Sequence, residues 1–363
     1  MKFTEKSLVE NYIVQKLVDK GWKFVSADEL ERDSFEEPLL IPNLVRAIKR
    51  INGDIGEDEV RQVLTALKLT GTGVEGAKRI LSYYRFGVPV KLAREKTVRY
   101  VKLFDFENLE NNEFVVSRQV TFRGRATRRL DIVLYVNGIP LVNIECKNPV
   151  DISESWENAY RQIKDYEKDI PELYKYVQIG VAAESEAKYF PIVPWQEDVN
   201  VYEWRENGKD SIDSTIEMLS QYTLLDLIRN FLFYRVERGN ATKVLARYMQ
   251  YRAANQIVER VVRNLQGIEW KRKGLIWHWQ GSGKTLTMIF AANKLQYAEE
   301  LENPTILFIV DRIELQEQLY SEMAALDISK PEIIETITQL KNFLQHDNYR
   351  GKRGYFILLI HKF

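Results

Sequence analysis

The stretch from residue 130 to residue 147, LDIVLYVNGIPLVNIECK, restricts the fold more than any other part of this 363-residue chain. Its two apolar segments are separated by Asn137-Gly138, a dipeptide typical of β-hairpin turns. Alternate residues of a strand point to opposite faces, so Glu145 and Lys147 share a face and Cys146 points away from them. Such a strand end carries either a surface ion pair at a sheet edge or one side of an active site.

The length of the hairpin loop decides which residues lie beside Glu145. A two-residue turn would place Asp131 opposite Ile144, on the face away from Glu145. A three-residue loop over residues 136–138, with Gly138 in the left-handed region, would leave one face wholly apolar. The pairs in that register are Tyr135–Ile139, Asp131–Asn143 and Arg129–Glu145. We therefore expect the three-residue loop, with Asp131 diagonal to Glu145 and both close enough to bind one hard cation.

The order of strand-like and helical segments changes once along the chain. Strands within residues 96–147 precede a helix at about 154–169 and a strand in YVQIGVAA, which favours a mixed sheet flanked by helices. From about residue 240, the segments GLIWHW, TILFIVD and GYFILLI alternate with helices near 285–299, 313–325 and 336–345, as in a parallel doubly wound sheet. We expect two α/β domains, 1–213 and 241–363, joined by a helical connector at 214–240.

Composition narrows the class of protein. Lys+Arg and Asp+Glu both number 52, so nucleic-acid binding would need a local basic patch. The densest patch is FRGRATRR, with Arg123, Arg125, Arg128 and Arg129 as candidate DNA contacts, although arginine clusters are often only solvated surface. No apolar run approaches the roughly 20 residues that span a bilayer. One cysteine excludes a disulfide framework and favours the cytoplasm, and the three histidines are too scattered for a zinc site.

Asp131, Glu145 and Lys147 on one hairpin resemble the site of PD-(D/E)xK nucleases. In that chemistry two carboxylates bind Mg²⁺, which activates water and neutralises charge developing on the phosphate. The lysine orients the attacking water or stabilises the same charge. The alternative is a chance spacing that forms a surface ion pair.

In the nuclease branch shared by recombination-type and type I restriction proteins, Gln-x-x-x-Tyr follows this strand, and Gln162 and Tyr166 match it. The resemblance implies that both are catalytic residues that position the phosphate or the lysine, four residues apart on one helical face. The alternative is that Tyr166 belongs to an apolar core stripe. The metal-binding residues implied by the resemblance are Asp131, Glu145, Cys146 and Glu10 of the first helix.

The segment HWQGSGKTLTM has the form of a Walker A phosphate loop between an apolar strand and a helix. Lys284 would reach the β- and γ-phosphates, and Thr285 the Mg²⁺ ion. His278 replaces the first consensus glycine. Superfamily 2 helicases place an adenine-recognising glutamine upstream, which Gln250 matches, with Gln256 a second candidate. The residues implied to bind ATP are Gln250, Gly281, Ser282, Gly283, Lys284 and Thr285.

Taken in order, the hairpin, QIKDY, IPELYKYVQIGVAA, ARYMQYRAANQIVERV and GSGKT resemble the restriction (R) subunit of type I restriction-modification enzymes over essentially the whole chain. The resemblance implies a mixed-sheet PD-(D/E)xK restriction-endonuclease-like domain followed by an incomplete RecA-like P-loop domain. It also implies Mg²⁺ and ATP as cofactors, cleavage of unmodified double-stranded DNA coupled to ATP-driven translocation, and modification (methyltransferase) and specificity subunits as partners.

The last residues, ILLIHKF, resemble the strand before the Walker B acids, and no Asp-Glu pair follows them. We therefore expect a fragment of a longer subunit that by itself turns over little ATP. Two other functions stay open: a recombination or repair nuclease-helicase, in which the nuclease often follows the motor, and a non-catalytic module that docks on a methyltransferase.

Overall fold

A computed structural model describes residues 6–92, 97–151, 153, 155–349 and 351–362. The chain divides into two compact units, Met1–Leu232 and Phe233–Phe363. The helices and strands of the first unit are, in chain order, α1 (Lys6–Asp19), β1 (Lys23–Phe24), α2 (Ile41–Asn52), α3 (Glu57–Leu69), α4 (Val74–Phe86), β2 (Val88–Leu92), β3 (Thr97–Val101), β4 (Phe114–Arg123), β5 (Thr127–Val136), β6 (Ile139–Cys146), α5 (Trp156–Asp169), α6 (Pro171–Tyr174), β7 (Ile179–Ala183), β8 (Ala187–Pro191), α7 (Ser211–Met218) and α8 (Gln221–Asp226).

The first unit contains a six-stranded sheet in the order β1-β4-β5-β6-β7-β8. Neighbouring strands are antiparallel except for two parallel pairs, β1 with β4 and β6 with β7. The mixed sheet expected from the sequence is thus confirmed. Strands β2 and β3 form a separate antiparallel pair.

Helix α5 packs on this sheet through a continuous hydrophobic cluster. Val133 and Tyr135 of β5 belong to the same buried cluster as Ala159 and Ile163 of α5. Burying one aliphatic side chain contributes about 1.5–3 kcal/mol, so these contacts suffice to fix the helix on the sheet. The helix begins after Ser155, whose backbone N–H donates to the Asn158 side chain. Its next turns therefore lie beside the end of β6.

Helix α1 carries the apolar stripe expected from the sequence, since Val9, Ile13, Val14 and Leu17 are all buried. The helix contacts β4, β5 and β6. Gly21, at φ +91°, follows its last turn, in a backbone conformation that glycine adopts without strain. Helix α1 is therefore held against the strands that carry the candidate acids.

The segment 214–240 is not the helical connector that the sequence predicted. It begins inside α7, continues through α8 and a π-helical turn at Leu227–Phe231, and ends in a strand pair. Lys20 pairs with Glu217 at 2.7 Å and the Trp22 indole donates to the Leu219 carbonyl at 3.0 Å, so these helices belong to the first unit. The helices form as the local pattern predicts, but their long-range contacts tie them to the first unit, and the boundary between compact units falls after Leu232.

The second unit contains β9 (Leu232–Glu237), β10 (Asn240–Leu245), α9 (Tyr248–Leu265), α10 (Lys284–Gln296), β11 (Thr305–Val310), α11 (Ile313–Ala325), β12 (Glu332–Ile334), α12 (Ile337–Tyr349) and β13 (Gly354–Leu359). Strands β11, β13 and β12 form a parallel sheet in that order, and β9 pairs with β10. The parallel alternation of strands and helices, expected from about residue 240, is therefore present from residue 300 onward.

One strand prediction in the second unit is wrong. The segment GLIWHW, residues 274–279, forms no strand, because it has no ladder partner within the described sheet. Its apolar side chains are correspondingly open to solvent, with Leu275 83% and Trp277 86% exposed. High apolar and β-branched content predicts a strand only where a neighbouring strand supplies the main-chain hydrogen bonds.

Candidate active site

The hairpin of β5 and β6 places Asp131 and Glu145 on the same face, as predicted, but its turn differs from the predicted loop. Asn137 and Gly138 both have positive φ, +52° and +77°, and Val136 pairs with Ile139, so the turn has two residues. The predicted three-residue loop is wrong because an Asn-Gly turn of this type matches the right-handed twist of the strands. The predicted pairs Tyr135–Ile139, Asp131–Asn143 and Arg129–Glu145 are wrong with it.

A β-bulge then corrects the register. Tyr135 pairs with Pro140, but Leu134 pairs with Val142, which leaves Leu141 as the extra residue of β6. A bulge changes the alternation of faces by one residue, so the two-residue turn and the bulge together give the parity that the predicted loop would have given. Ile132 lies opposite Ile144, and the next residues along the two strands are Asp131 and Glu145.

Asp131 and Glu145 meet where the β5–β6 ladder ends. The backbone N–H of Asp131 donates to Oε1 of Glu145 at 3.2 Å, and the backbone N–H of Cys146 donates to Oδ2 of Asp131 at 2.9 Å. Each carboxylate thus replaces a main-chain acceptor of the neighbouring strand. Both side chains are buried, Glu145 completely. The acids are direct neighbours, closer than the predicted diagonal arrangement.

Gln162 of α5 links Glu145 to Lys147 through hydrogen bonds. Its Oε1 accepts from Nζ of Lys147 at 2.6 Å, and its Nε2 donates to Oε2 of Glu145 at 2.8 Å and to the Tyr166 hydroxyl at 2.6 Å. Burial raises the pKa of Tyr166, and the nearby Glu145 carboxylate raises it further, so the phenol stays protonated well above neutral pH. Tyr166 is also part of the hydrophobic cluster under α5, as the core-stripe alternative predicted, and its catalytic role stays a prediction.

Glu10 of α1 reaches the same place from another direction. It is buried, and its Oε2 accepts from Nε2 of Gln119, which also donates to Oδ1 of Asp131. These groups line a cavity of about 620 Å³. Its lining residues are Ser7, Glu10, Arg118, Gln119, Thr127, Arg128, Arg129, Asp131, Gln162 and Tyr166.

Oxygen donors dominate this cavity and suit a hard cation. In the described residues no three His, Cys, Asp or Glu side chains are placed to hold one metal ion together. Mg²⁺ is commonly bound by one or two carboxylates, with waters and substrate phosphates completing its octahedron. Asp131, with Glu10 or Glu145, meets that requirement. Cys146 reaches the site through its backbone N–H, while its thiol is buried, so its predicted metal role stays a prediction.

The four predicted DNA-binding arginines separate into two pairs. Arg128 and Arg129 line the cavity, whereas Arg123 faces Glu36 at 3.9 Å, and the backbone N–H of Arg125 donates to the Asp169 carbonyl. The Arg128 guanidinium is itself paired with Asp169 at 2.7 Å and lies over the Tyr166 ring. Sequence reasoning missed Arg118 and Gln119, which stand in an ordinary strand pattern that gives no sign of a site.

The predicted phosphate loop of the second unit leads into α10, which begins at Lys284. Gly281 and Gly283 both have φ +81°, a conformation that favours glycine. Nε2 of Gln250 lies 3.4 Å from the backbone oxygens of Ser282 and Gly283, so α9 contacts the loop through this residue. Nζ of Lys284 donates to the Trp279 carbonyl at 2.9 Å. Gln256 lines a different cavity. The nucleotide roles predicted for Thr285 and the other loop residues stay predictions.

Two family descriptions match the chain. Residues 2–199 match the type I restriction enzyme R protein N terminus, and residues 249–363 match the SWI2/SNF2 ATPase. In the part of the chain that the structure describes, no helix is long and apolar enough to cross a membrane.

Individual relatives agree with the family match. The MjaVIIIP type I restriction enzyme endonuclease subunit of Methanocaldococcus jannaschii is 31% identical over 98% of this chain and 36% of its own length. The HindI endonuclease subunit of Haemophilus influenzae has the same identity and coverage, and the SsaAORF53P subunit of Staphylococcus saprophyticus is 25% identical over 99% of the chain. The chain spans little more than a third of the length of these relatives.

Proposed function

Because the chain belongs to the family of type I restriction enzyme R proteins, we propose that its first unit is the nuclease of such a subunit. The proposed reaction is Mg²⁺-dependent endonucleolytic cleavage of unmodified double-stranded DNA. The observation that carries it is the hydrogen-bonded set of Asp131, Glu145, Lys147, Gln162 and Tyr166, five residues in the pattern of PD-(D/E)xK nucleases.

The residues divide the work by their chemistry. Asp131 and Glu145, with Glu10 nearby, would hold Mg²⁺, which supplies charge neutralisation at the scissile phosphate and a more acidic water. Lys147 would orient the attacking water or stabilise charge on the phosphate. Gln162 holds the lysine ammonium and the Glu145 carboxylate at one amide, which fixes their separation. Fixing reacting groups in this way lowers the entropic part of a barrier.

Two of the arginines that line the cavity are the proposed contacts to the phosphates of the DNA backbone. Arg118 and Arg129 line it beside the acids, in a position to bind the DNA backbone on either side of the cleaved bond. Arg128 is held by Asp169 and the Tyr166 ring, so its proposed role is to position Tyr166. Arg123 and Arg125 would contact DNA farther along the duplex.

The second unit is proposed to bind ATP and to belong to the DNA-translocating motor. The SWI2/SNF2 ATPase match over residues 249–363 and the left-handed glycines of the phosphate loop support this. Backbone N–H groups of the loop would bind phosphate oxygens, with Lys284 and Thr285 in the roles given above. The modification and specificity subunits are the proposed partners, since an R subunit acts in a complex with them.

Substitution of Lys147 tests the nuclease proposal. In the restriction complex assembled around the full-length subunit, Lys147→Ala should reduce DNA cleavage by at least about 100-fold, a typical contribution of one positioned catalytic group, and leave DNA-stimulated ATP hydrolysis unchanged. Lys23→Ala, at an exposed position of β1, is the matched control and should cleave normally. Normal cleavage by the Lys147 variant would reject the assignment of the site.

A further inference from the structure

Gln119 stands out because its backbone conformation is unusual for its place in the fold. It lies inside β4 with φ +53°, and no other described non-glycine residue within a strand has a positive φ. A left-handed conformation is unfavourable for a residue with a Cβ atom, and such strain tends to occur at functional sites. The ladder with β5 pairs Arg118 with Ile132 and Val120 with Leu130 but omits the pair of Gln119 and Asp131.

At this position β4 and β5 each change which of their two faces points to the core. In β4 the core cluster contains Val115 before Gln119 but Val120 after it, so the alternation shifts by one residue. In β5 the cluster contains Val133 and Leu130, with the shift at Asp131. A local rotation of both strands therefore removes Gln119 and Asp131 from the regular in-and-out pattern and turns them toward α1.

The Gln119 side chain uses that rotation to join two acids. Its Nε2 donates to Oε2 of Glu10 at 2.9 Å and to Oδ1 of Asp131 at 3.3 Å. Ionised carboxylates only accept hydrogen bonds, so the NH₂ end of the amide must face both of them. Without this donor, two buried carboxylates on separate elements would repel each other and move apart.

We propose that Gln119 is a positioning residue that holds the Glu10 carboxylate beside Asp131, so that the two can bind the same divalent cation. The inference rests on the proposed nuclease function and adds to it a residue from outside the hairpin and α5. The positive φ of Gln119 accompanies the strand rotation, and this rotation places the side-chain amide between Glu10 and Asp131. Residues that orient metal ligands typically change metal affinity 10- to 100-fold when they are replaced.

The test is the binding of Mn²⁺, an EPR-visible substitute for Mg²⁺, to the whole chain. Gln119→Gly removes the amide but suits the left-handed backbone, whereas Gln119→Ala removes the amide and keeps the strain. Both variants should bind Mn²⁺ at least 10-fold more weakly than the unmodified chain, and the glycine variant should be the more thermally stable of the two. In cleavage assays the Mg²⁺ concentration for half-maximal rate should rise more than the rate at saturating Mg²⁺ falls.

Two further variants separate failure of this inference from failure of the proposed function. Asp131→Asn should abolish specific Mn²⁺ binding; if binding is unchanged, there is no cation site here and the proposed function falls together with the inference. If Asp131→Asn abolishes binding but Gln119→Gly stays within twofold of the unmodified chain, the inference alone is wrong. Glu10→Gln combined with Gln119→Gly should be no weaker than Glu10→Gln alone, and an additive loss would show that Gln119 does not act through Glu10.

Discussion

Replacing Gly138 by alanine should destabilise the first unit far more than the same change at Gly208. Both glycines follow an asparagine in a turn and have nearly the same φ, +77° and +76°. They differ in their surroundings. A Cβ atom at Gly138 would lie 2.4 Å from the Leu40 carbonyl oxygen, whereas one at Gly208 would meet nothing within 4 Å.

The magnitude follows from these contacts. Left-handed alanine costs about 1–2 kcal/mol at either position. At Gly138 the overlap is with backbone, so the start of α2 must move by roughly 1 Å, an overpacking cost of about 1–3 kcal/mol. That movement also weakens the hydrogen bond from the Leu40 N–H to the Gly138 carbonyl, now 2.9 Å and typically contributing about 1 kcal/mol. Gly138→Ala should therefore lower the free energy of unfolding by about 2–4 kcal/mol more than Gly208→Ala.

Urea unfolding of the two variants, with hydrogen–deuterium exchange of the β5 and β6 amides as a local probe, measures this difference. The dependence on urea should be the same for both, because neither change alters the surface exposed on unfolding. Exchange should accelerate in the hairpin of the Gly138 variant only. Equal destabilisation within about 0.5 kcal/mol would refute the argument that the turn is packed against α2, since strain alone would then explain both results.

Two further substitutions test buried polar groups. The Tyr135 hydroxyl is buried without a hydrogen-bond partner among the described residues, and burial raises its pKa, so Tyr135→Phe should add about 1 kcal/mol to the free energy of unfolding at pH 7. The raised pKa keeps the phenol protonated in the folded state, whereas in the unfolded state the phenol ionises above pH 10. Above that pH the free energy of unfolding of the unmodified chain should fall relative to that of the variant, by up to about 1.4 kcal/mol per pH unit. Parallel pH profiles would contradict this. Lys175→Met should cost about 2–4 kcal/mol in thermal or urea unfolding, because the buried ammonium donates to the carbonyls of Lys68 and Thr70. Glu172→Gln, which changes only the 63% exposed partner of that lysine, should cost less than about 0.5 kcal/mol, and similar losses in both variants would argue against the carbonyl contacts.

The β5–β6 hairpin shows which structural features the amino-acid sequence predicts and which it leaves undetermined. Alternation of apolar and polar residues predicted that Asp131 and Glu145 share a face, because a slip of one residue would place one of them among the apolar side chains of the opposite face. The same pattern is satisfied by a three-residue loop or by a two-residue turn with a bulge, so it could not choose between them. The twist preference of Asn137-Gly138 decided the turn, and the extra residue Leu141 restored the alternation.

The residues that sequence reasoning missed depend on contacts between distant parts of the chain. Gln119 meets Glu10, 109 positions away, only because β4 rotates locally, and nothing in VVSRQVTF indicates a left-handed residue. The segment at 214–231 has a helical pattern that the structure confirms, but the sequence could not show that it packs near Lys20 and Trp22 and is therefore no connector. Gln162 and Tyr166 were predicted because QIKDY matches a family pattern, and their four-residue spacing only placed them on one helical face.

The exchange of hydrogen bonds at the end of the β5–β6 ladder has a consequence for experiments on this site. Asp131 and Glu145 lie where the main-chain pairing of β5 with β6 stops, so the side chains proposed to do chemistry also hold these two strands together. Alanine at either position would open the hairpin as well as remove a cation ligand, and lost cleavage would then have two indistinguishable causes. Amide substitutions keep an oxygen acceptor for the neighbouring N–H while removing the charge. Loss of activity in such isosteric variants therefore reports on the chemistry of the carboxylate, whereas loss of activity in alanine variants also includes the effect of opening the hairpin.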